Sequence, residues 1–241
     1  MKNIIVLVLG FLIVGCGVFD KKDLNDEKLL HDDEHVNLND INGSFDLKEY
    51  LFPNKNQINQ YRIEIKNSNP NNNEILNQNV VNRIDEFTYI DKNQINLGDR
   101  ISYLINKKSI TKKEFINNFD DIKEYRRYLN KNDVYFSYEE VNIQDDYRQI
   151  GKLVCRLVEH NNSKKVLTKN YNDVIQLRCI GDFGEGTFDG FAKETFFIIK
   201  GFYAKNEGLI ELTSNRCEYN KYGQTEYTYC TDSIKQIKNK D

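Results

Sequence analysis

The chain contains no tryptophan, one methionine, two prolines and three histidines in 241 residues. Each scarcity excludes something. Three histidines leave little material for a histidine-based catalytic or metal centre, and no Cys-x-x-Cys spacing offers zinc a thiolate pair. With only Pro53 and Pro70 and no Gly/Ser-rich stretch, no linker divides the chain beyond its N-terminal region. A formal charge of −3, from 34 bases and 37 acids, lacks the basic stripe of a nucleic-acid-binding surface. The longest apolar run, Ile4 to Phe19, is shorter than the about 20 residues a transmembrane helix needs, and Asp20-Lys21-Lys22 ends it. What the chain does have is 15 Tyr and 14 Phe, enough to fill a sizeable core.

The apolar run has the anatomy of a secretory signal, with Lys2 in front, an apolar stretch from Ile4 and small Gly15 before Cys16. Ile13-Val14-Gly15-Cys16 resembles a bacterial lipobox, whose cysteine is lipidated and becomes the first residue of the mature chain. The resemblance implies a signal peptide over 1–15 and attachment to a membrane through Cys16. It also implies the outer membrane over the inner one, because Gly17 rather than an aspartate follows the cysteine. Each buried methylene adds about 0.8 kcal/mol of membrane affinity, so a cysteine with two or three acyl chains anchors firmly.

Residues 16–45 read as the lipidated cysteine and a disordered acidic tether. From Gly17 to Asp40 there are eight acids and three lysines, a composition that cannot bury enough apolar surface to offset its ordering entropy. As a coil it reaches roughly 30 Å. Within it, His31-Asp32-Asp33-Glu34-His35 matches the His-x-x-Glu-His of inverzincin proteases, which need both imidazoles on one face of a long helix. No amphipathic helix surrounds the pentapeptide, and the third histidine, His160, is far along the chain. It therefore reads as solvated tether, and no metal or cofactor is expected.

Residues 46–241 read as a single mainly β domain, a curved antiparallel sheet or half-barrel. Gln60 to Lys66 alternates, as do parts of Arg83 to Ile90 and Ile95 to Leu104, while Val134 to Val141 is rich in aromatic and β-branched residues. Asn-rich breaks at Asn67 to Asn73 and around Gly98 read as turns. Thr111 to Leu129 admits two readings. Thr111-Lys112-Lys113-Glu114 has the form of a capping box, and Phe115, Phe119, Ile122 and Leu129 keep helical spacing, whereas Ile122, Tyr125 and Tyr128 also suit strands. One helix over 111–129 is the expectation. Gly181 to Gly190 contains the kinase-like triplet Asp182-Phe183-Gly184, but no His-Arg-Asp loop accompanies it, so the stretch reads as a long turn.

A translocated chain folds where disulfides persist, and the four cysteines beyond Cys16 suffice for two bridges. Four cysteines allow three connectivities. A two-residue turn at Gly223-Gln224 places Cys217 opposite Cys230, with cross-strand Cβ atoms about 4.5–5.5 Å apart. The expected pairs are therefore Cys217 with Cys230 and, by remainder, Cys155 with Cys179.

In the C-terminal half, Tyr171-Asn172-Asp173-Val174-Ile175 is followed by Phe196-Phe197-Ile198-Ile199 and by Tyr203-Ala204-Lys205-Asn206-Glu207-Gly208-Leu209-Ile210. This is similar to a pattern of many secreted β-proteins of uncharacterised role: Tyr-x-Asp-Val-Ile, a gap, then Tyr-Ala-Lys-Gly-x-Gly-Leu-Ile. The resemblance implies successive antiparallel strands of a curved sheet, akin to the half-barrels of lipoprotein carriers. Asn206 stands at the pattern's first glycine, where asparagine can take the left-handed turn conformation. Nothing about chemistry follows from the fold.

Two sequons, Asn42-Gly43-Ser44 and Asn161-Asn162-Ser163, each have an acid two residues earlier, Asp40 and Glu159. They resemble the extended acceptor of bacterial oligosaccharyltransferases, which makes Asn42 and Asn161, the second expected in a hairpin turn, candidate glycosylation sites. No Ser/His/Asp or Cys/His arrangement is legible, so no catalytic residue is assigned. The expected role is a non-enzymatic, lipid-anchored envelope module that binds an apolar ligand or an envelope protein on its concave face. The alternative is an envelope hydrolase or metal-dependent enzyme built from surface carboxylates.

Overall fold

The computed structural model describes residues 43–69, 74–116, 119–144, 147–187, 190–222 and 225–237, and most of them lie in strands. β1 (Phe45–Asp46) leads into the one helix described, α1 (Leu47–Leu51). Then follow β2 (Gln57–Asn69), β3 (Glu74–Tyr89), β4 (Gln94–Leu97), β5 (Ile101–Ile105), β6 (Ser109–Ile116), β7 (Phe119–Arg126) and β8 (Tyr128–Leu129). The second half is β9 (Val134–Gln144), β10 (Tyr147–Val166), β11 (Lys169–Thr187), β12 (Gly190–Ala204), β13 (Gly208–Tyr222) and β14 (Thr225–Ile237). β1 pairs with β8, and the other twelve strands form one antiparallel sheet in the order β7-β6-β5-β4-β3-β2-β14-β13-β12-β11-β10-β9. The chain winds from β2 out to β7, crosses through β8, and winds back from β9 until β14 lies beside β2. The two ends of the sheet, β7 and β9, approach each other, so it is nearly closed into a barrel.

Residues directly opposed in an antiparallel pair share a face, so the register identifies what lines the inside. One inward row runs Leu157, Leu177, Gly201, Leu212 and Lys235 across five strands, and the next runs Phe136, Cys155, Cys179, Ile199 and Ser214. Both disulfides join directly opposed residues. Cys155–Cys179, with Cα atoms 4.0 Å apart, points into the barrel, while Cys217–Cys230, at 4.1 Å, lies one residue out of step with inward Arg216 and points to the outer face. Register pairs Tyr222 with Thr225, and the Gly223-Gln224 turn itself lies outside the described residues.

One end of the barrel is plugged. Asp46 caps α1 by accepting from the Lys48 amide at 3.1 Å, and its carboxylate takes a two-pronged bond from Arg127, Nε to Oδ1 at 2.9 Å and Nη2 to Oδ2 at 2.6 Å. Leu47 and Tyr50 on α1 and Phe52 just after it are buried, with the Phe52 ring 4.8 Å from Tyr103. The residues that carried the C-terminal resemblance clasp this plug. Val174 pairs with Ala204, the Tyr50 hydroxyl donates to Asp173 at 2.7 Å, Lys205 reaches Glu49 at 3.1 Å, and the Asn206 amide donates to the Glu49 carbonyl at 2.6 Å. Asn206 takes φ 62° in the turn that reverses the chain from β12 to β13.

Three readings of the sequence are corrected. Residues 111–129 form no helix: they are the β6–β7 hairpin followed by β8. Of the apolar residues that kept helical spacing, Phe115 and Ile122 point outward, 53% and 61% exposed, and Leu129 is buried, whereas the inward positions of the hairpin are Ile110, Lys112, Glu114, Asp121, Lys123 and Tyr125. Because this part of the barrel interior holds ion pairs, Lys112 with Glu114 and Lys123 with Asp121, the pattern of a half-buried strand was inverted and a helical stripe was read instead.

The Gly181 to Gly190 stretch is likewise no long turn, since β11 runs through Thr187 and β12 resumes at Gly190. Its glycines clear room for rings: a Cβ on Gly181 would stand 2.3 Å from the Phe197 ring, and one on Gly151 2.0 Å from the Phe183 ring opposite. Phe183 and Phe197 stack at 5.8 Å, so the ring of the kinase-like triplet lines the barrel while Asp182 faces out and is exposed. Finally, packed structure begins by Gly43, because the Ser44 amide donates to Asn130 at 3.2 Å and Phe45 pairs with Leu129, so residues 43–45 belong to the domain rather than to a tether.

Candidate functional site

The barrel encloses a cavity of about 160 Å³. Its floor is the plug, through Leu51 and Phe52, and its walls include Phe87, Leu97, Ile101, Leu153, Leu177 and Phe197 together with the Cys155–Cys179 bridge. Tyrosines come in from five strands: Tyr61 on β2, Tyr103 on β5, Tyr125 on β7, Tyr135 on β9 and Tyr203 on β12. Tyr135 reaches the interior because β9 bulges there. Phe136 pairs with Cys155 and Val134 with Arg156, which leaves Tyr135 as the extra residue and turns two successive side chains inward.

The opposite wall is charged. On β14, Lys235 donates to Asp85 of β3 at 2.7 Å, and Arg83 donates to the other Asp85 oxygen at 2.7 Å. The Lys235 ammonium also stands 3.9 Å from the centre of the Tyr61 ring. Burial pushes the Lys235 pKa below its ordinary value, and the Asp85 carboxylate resists that shift. The wall thus holds two cations and one anion.

Burial holds the phenols of Tyr61, Tyr103, Tyr125, Tyr135 and Tyr203 above the usual phenol range. For Tyr61, Tyr103, Tyr125 and Tyr135 the neighbouring Tyr203 oxygen adds to the effect, which places that hydroxyl among the others. Each is a neutral donor at pH 7. The Tyr61 hydroxyl donates to the Leu209 carbonyl at 3.0 Å, and the Tyr135 hydroxyl lies 3.4 Å from Cys179 Sγ. Those of Tyr103, Tyr125 and Tyr203 have no hydrogen-bond partner among the described residues, nor are they among the polar atoms sealed in without one. They therefore border open space, and the space their residues line is the cavity.

No family model, no curated protein and no solved structure matches the chain.

Of the candidate site residues singled out in the sequence, Cys155 and Cys179 line the cavity and the others are elsewhere. Cys16, Asn42 and His31 to His35 lie outside the described residues. Asn161 is inside β10, opposite Val174, rather than in a hairpin turn. His160 is on the outside near the plug, its Nε2 2.9 Å from Asp173 and its ring 5.0 Å from that of Phe45. Among the described residues no group of three metal-ligating side chains comes together. What sequence reading missed was the cavity, because Arg83, Asp85 and Lys235 are spread over 150 residues and look like ordinary surface charges until the register turns them inward.

Proposed function

We propose that this chain is a non-enzymatic, lipid-anchored binding protein of the bacterial envelope, held by an acylated Cys16, with the outer membrane favoured. Its barrel takes a small molecule. The observation that carries the reading is the cavity itself, because three neutral donors without partners among the described residues border it, between aromatic and aliphatic walls and the Arg83, Asp85 and Lys235 cluster. Hydroxyls that no protein group engages are free to bond a polar atom of a ligand. Binding is favoured over hydrolysis because the one carboxylate lining the cavity among the described residues, Asp85, is already engaged by both Arg83 and Lys235 rather than free to act as a base.

The volume narrows the ligand. Sites for drug-sized molecules measure about 300–1,000 Å³, and 160 Å³ is too small for the acyl chain of a membrane lipid. Mass spectrometry of small molecules released on denaturing protein isolated from its own cells tests the binding part. A stoichiometric compound is expected, and a cavity that releases none at any growth stage would overturn it. Radiolabelled palmitate tests the anchor. Label should enter the wild-type chain and be lost in Cys16→Ser, and label retained in that variant refutes anchoring at Cys16.

A further inference from the structure

We propose that the cavity binds a small monocarboxylate whose apolar body is about the size of a benzene ring, with its carboxylate held by tyrosine hydroxyls and facing Lys235 and Arg83. This rests on the binding reading above and names the ligand class.

Size comes first. An engineered apolar cavity of about 150 Å³ takes up benzene, and the barrel cavity, at about 160 Å³, has the same capacity. Phe52, Phe87, Leu153, Leu177 and Phe197 make most of its lining apolar, which suits a body without polar atoms.

The polar groups then select the head. Tyr103, Tyr125 and Tyr203 offer donors and lack partners among the described residues, so the complementary group is an acceptor. Charge separates a carboxylate from a neutral acceptor. Buried Lys235 and Arg83, whose side chain is 46% exposed where the cavity opens to solvent, together carry one more positive charge than Asp85 offsets, while Lys123 is matched by Asp121 at 2.8 Å. Tyr103 lines the same cavity as Arg83 and Lys235, and its phenol feels Tyr203, Glu114 and Asp85 before Arg83. Water can satisfy the hydroxyls and the exposed part of Arg83 but brings no negative charge to the wall. A cation would add to the excess.

Calorimetric titration of the full chain at low salt with benzoate, benzyl alcohol and benzylamine tests this, because the three probes share a ring and differ in the head. Benzoate is expected to bind saturably and at least about tenfold more tightly than benzyl alcohol, with benzylamine weakest. Lys235→Met should weaken benzoate by about tenfold and leave benzyl alcohol within about threefold. Tyr103→Phe, which keeps the ring and removes a hydroxyl without a protein partner, should weaken benzoate several-fold and remains informative if Lys235→Met does not fold.

Equal binding of all three probes would overturn the carboxylate assignment and leave the binding reading standing. No binding of any probe up to about 10 mM would overturn this assignment and count against the cavity as a site at all. Benzoate binding untouched by both substitutions would place it elsewhere and overturn the assignment as well.

Discussion

The rings of Tyr125 and Phe136 meet edge to face, 5.2 Å apart, across the seam between β7 and β9, where the sheet order ends on both sides. Tyr135 joins them at 6.2 Å from Tyr125, and Arg126 reaches Asp133 at 3.0 Å. Side chains close here what ladder hydrogen bonds close elsewhere. Removing the ring in Tyr125→Ala is expected to cost about 3–5 kcal/mol. Tyr125→Phe, which removes a hydroxyl without a protein partner, should stay within about 0.5 kcal/mol. Urea midpoints at constant m-value measure both, and equal losses in the two variants would show that the ring does not close the seam.

The charged wall predicts an asymmetry. Asp85→Ala strands the buried Lys235 ammonium without its carboxylate, and breaking a buried pair from one side costs about 3–5 kcal/mol. Replacing Lys235 instead leaves Asp85 with Arg83, so Lys235→Met should cost less. Chemical denaturation of the two variants decides, and a greater loss in Lys235→Met would contradict the arrangement.

The two bridges close short loops, with sequence separations of 13 and 24 residues. Loops of this length are worth about 3 kcal/mol each in the chain-entropy model. Loss of Cys155–Cys179 should cost more than loss of Cys217–Cys230, because its sulfurs also line the cavity and contact Tyr135. Paired Cys→Ser variants of each bridge, compared by thermal unfolding, test the order. Equal losses would show that the inner bridge adds no packing.

Acid should loosen the clasp on the plug. Partial burial raises the Asp173 pKa, but hydrogen bonds from Tyr50 and His160 and the charge of Lys205 outweigh it, and the net shift is downward. A carboxyl that is more acidic in the folded state stabilises the fold above its unfolded pKa of about 3.9, and that contribution is lost as pH falls through the lower folded value. Asp173→Asn should therefore lower the melting temperature near pH 6, with the gap to wild type closing as pH falls through the lowered folded-state pKa. A gap that stays constant with pH would rule the linkage out.

Much of the β architecture was legible because alternation is a local signal. Gln60 to Lys66 lies within β2 and Val134 to Val141 within β9. The Cys217–Cys230 pairing followed from a turn length alone, and the register places the two residues opposite each other. Reading failed wherever polarity inside the barrel departed from that of an ordinary core. Lys112, Glu114 and Lys123 face inward while Phe115 and Ile122 face out, so the periodicity of β6 and β7 pointed to a helix. At Gly181 to Gly190 composition suggested a turn, because the ring that needs the space at Gly181 comes from the neighbouring strand.

By itself the sequence determined that this is a mainly β chain whose four C-terminal-half cysteines can pair in two bridges, since strand alternation and hairpin spacing are written in consecutive residues. Tertiary structure decided that the sheet curls until β7 faces β9, that α1 stops one end, and that Tyr103, Tyr125, Tyr203, Arg83 and Lys235 surround one cavity. Those relations depend on the register between strands and the order in which they neighbour one another. Neither is encoded within any single strand, so no local pattern foreshadows them.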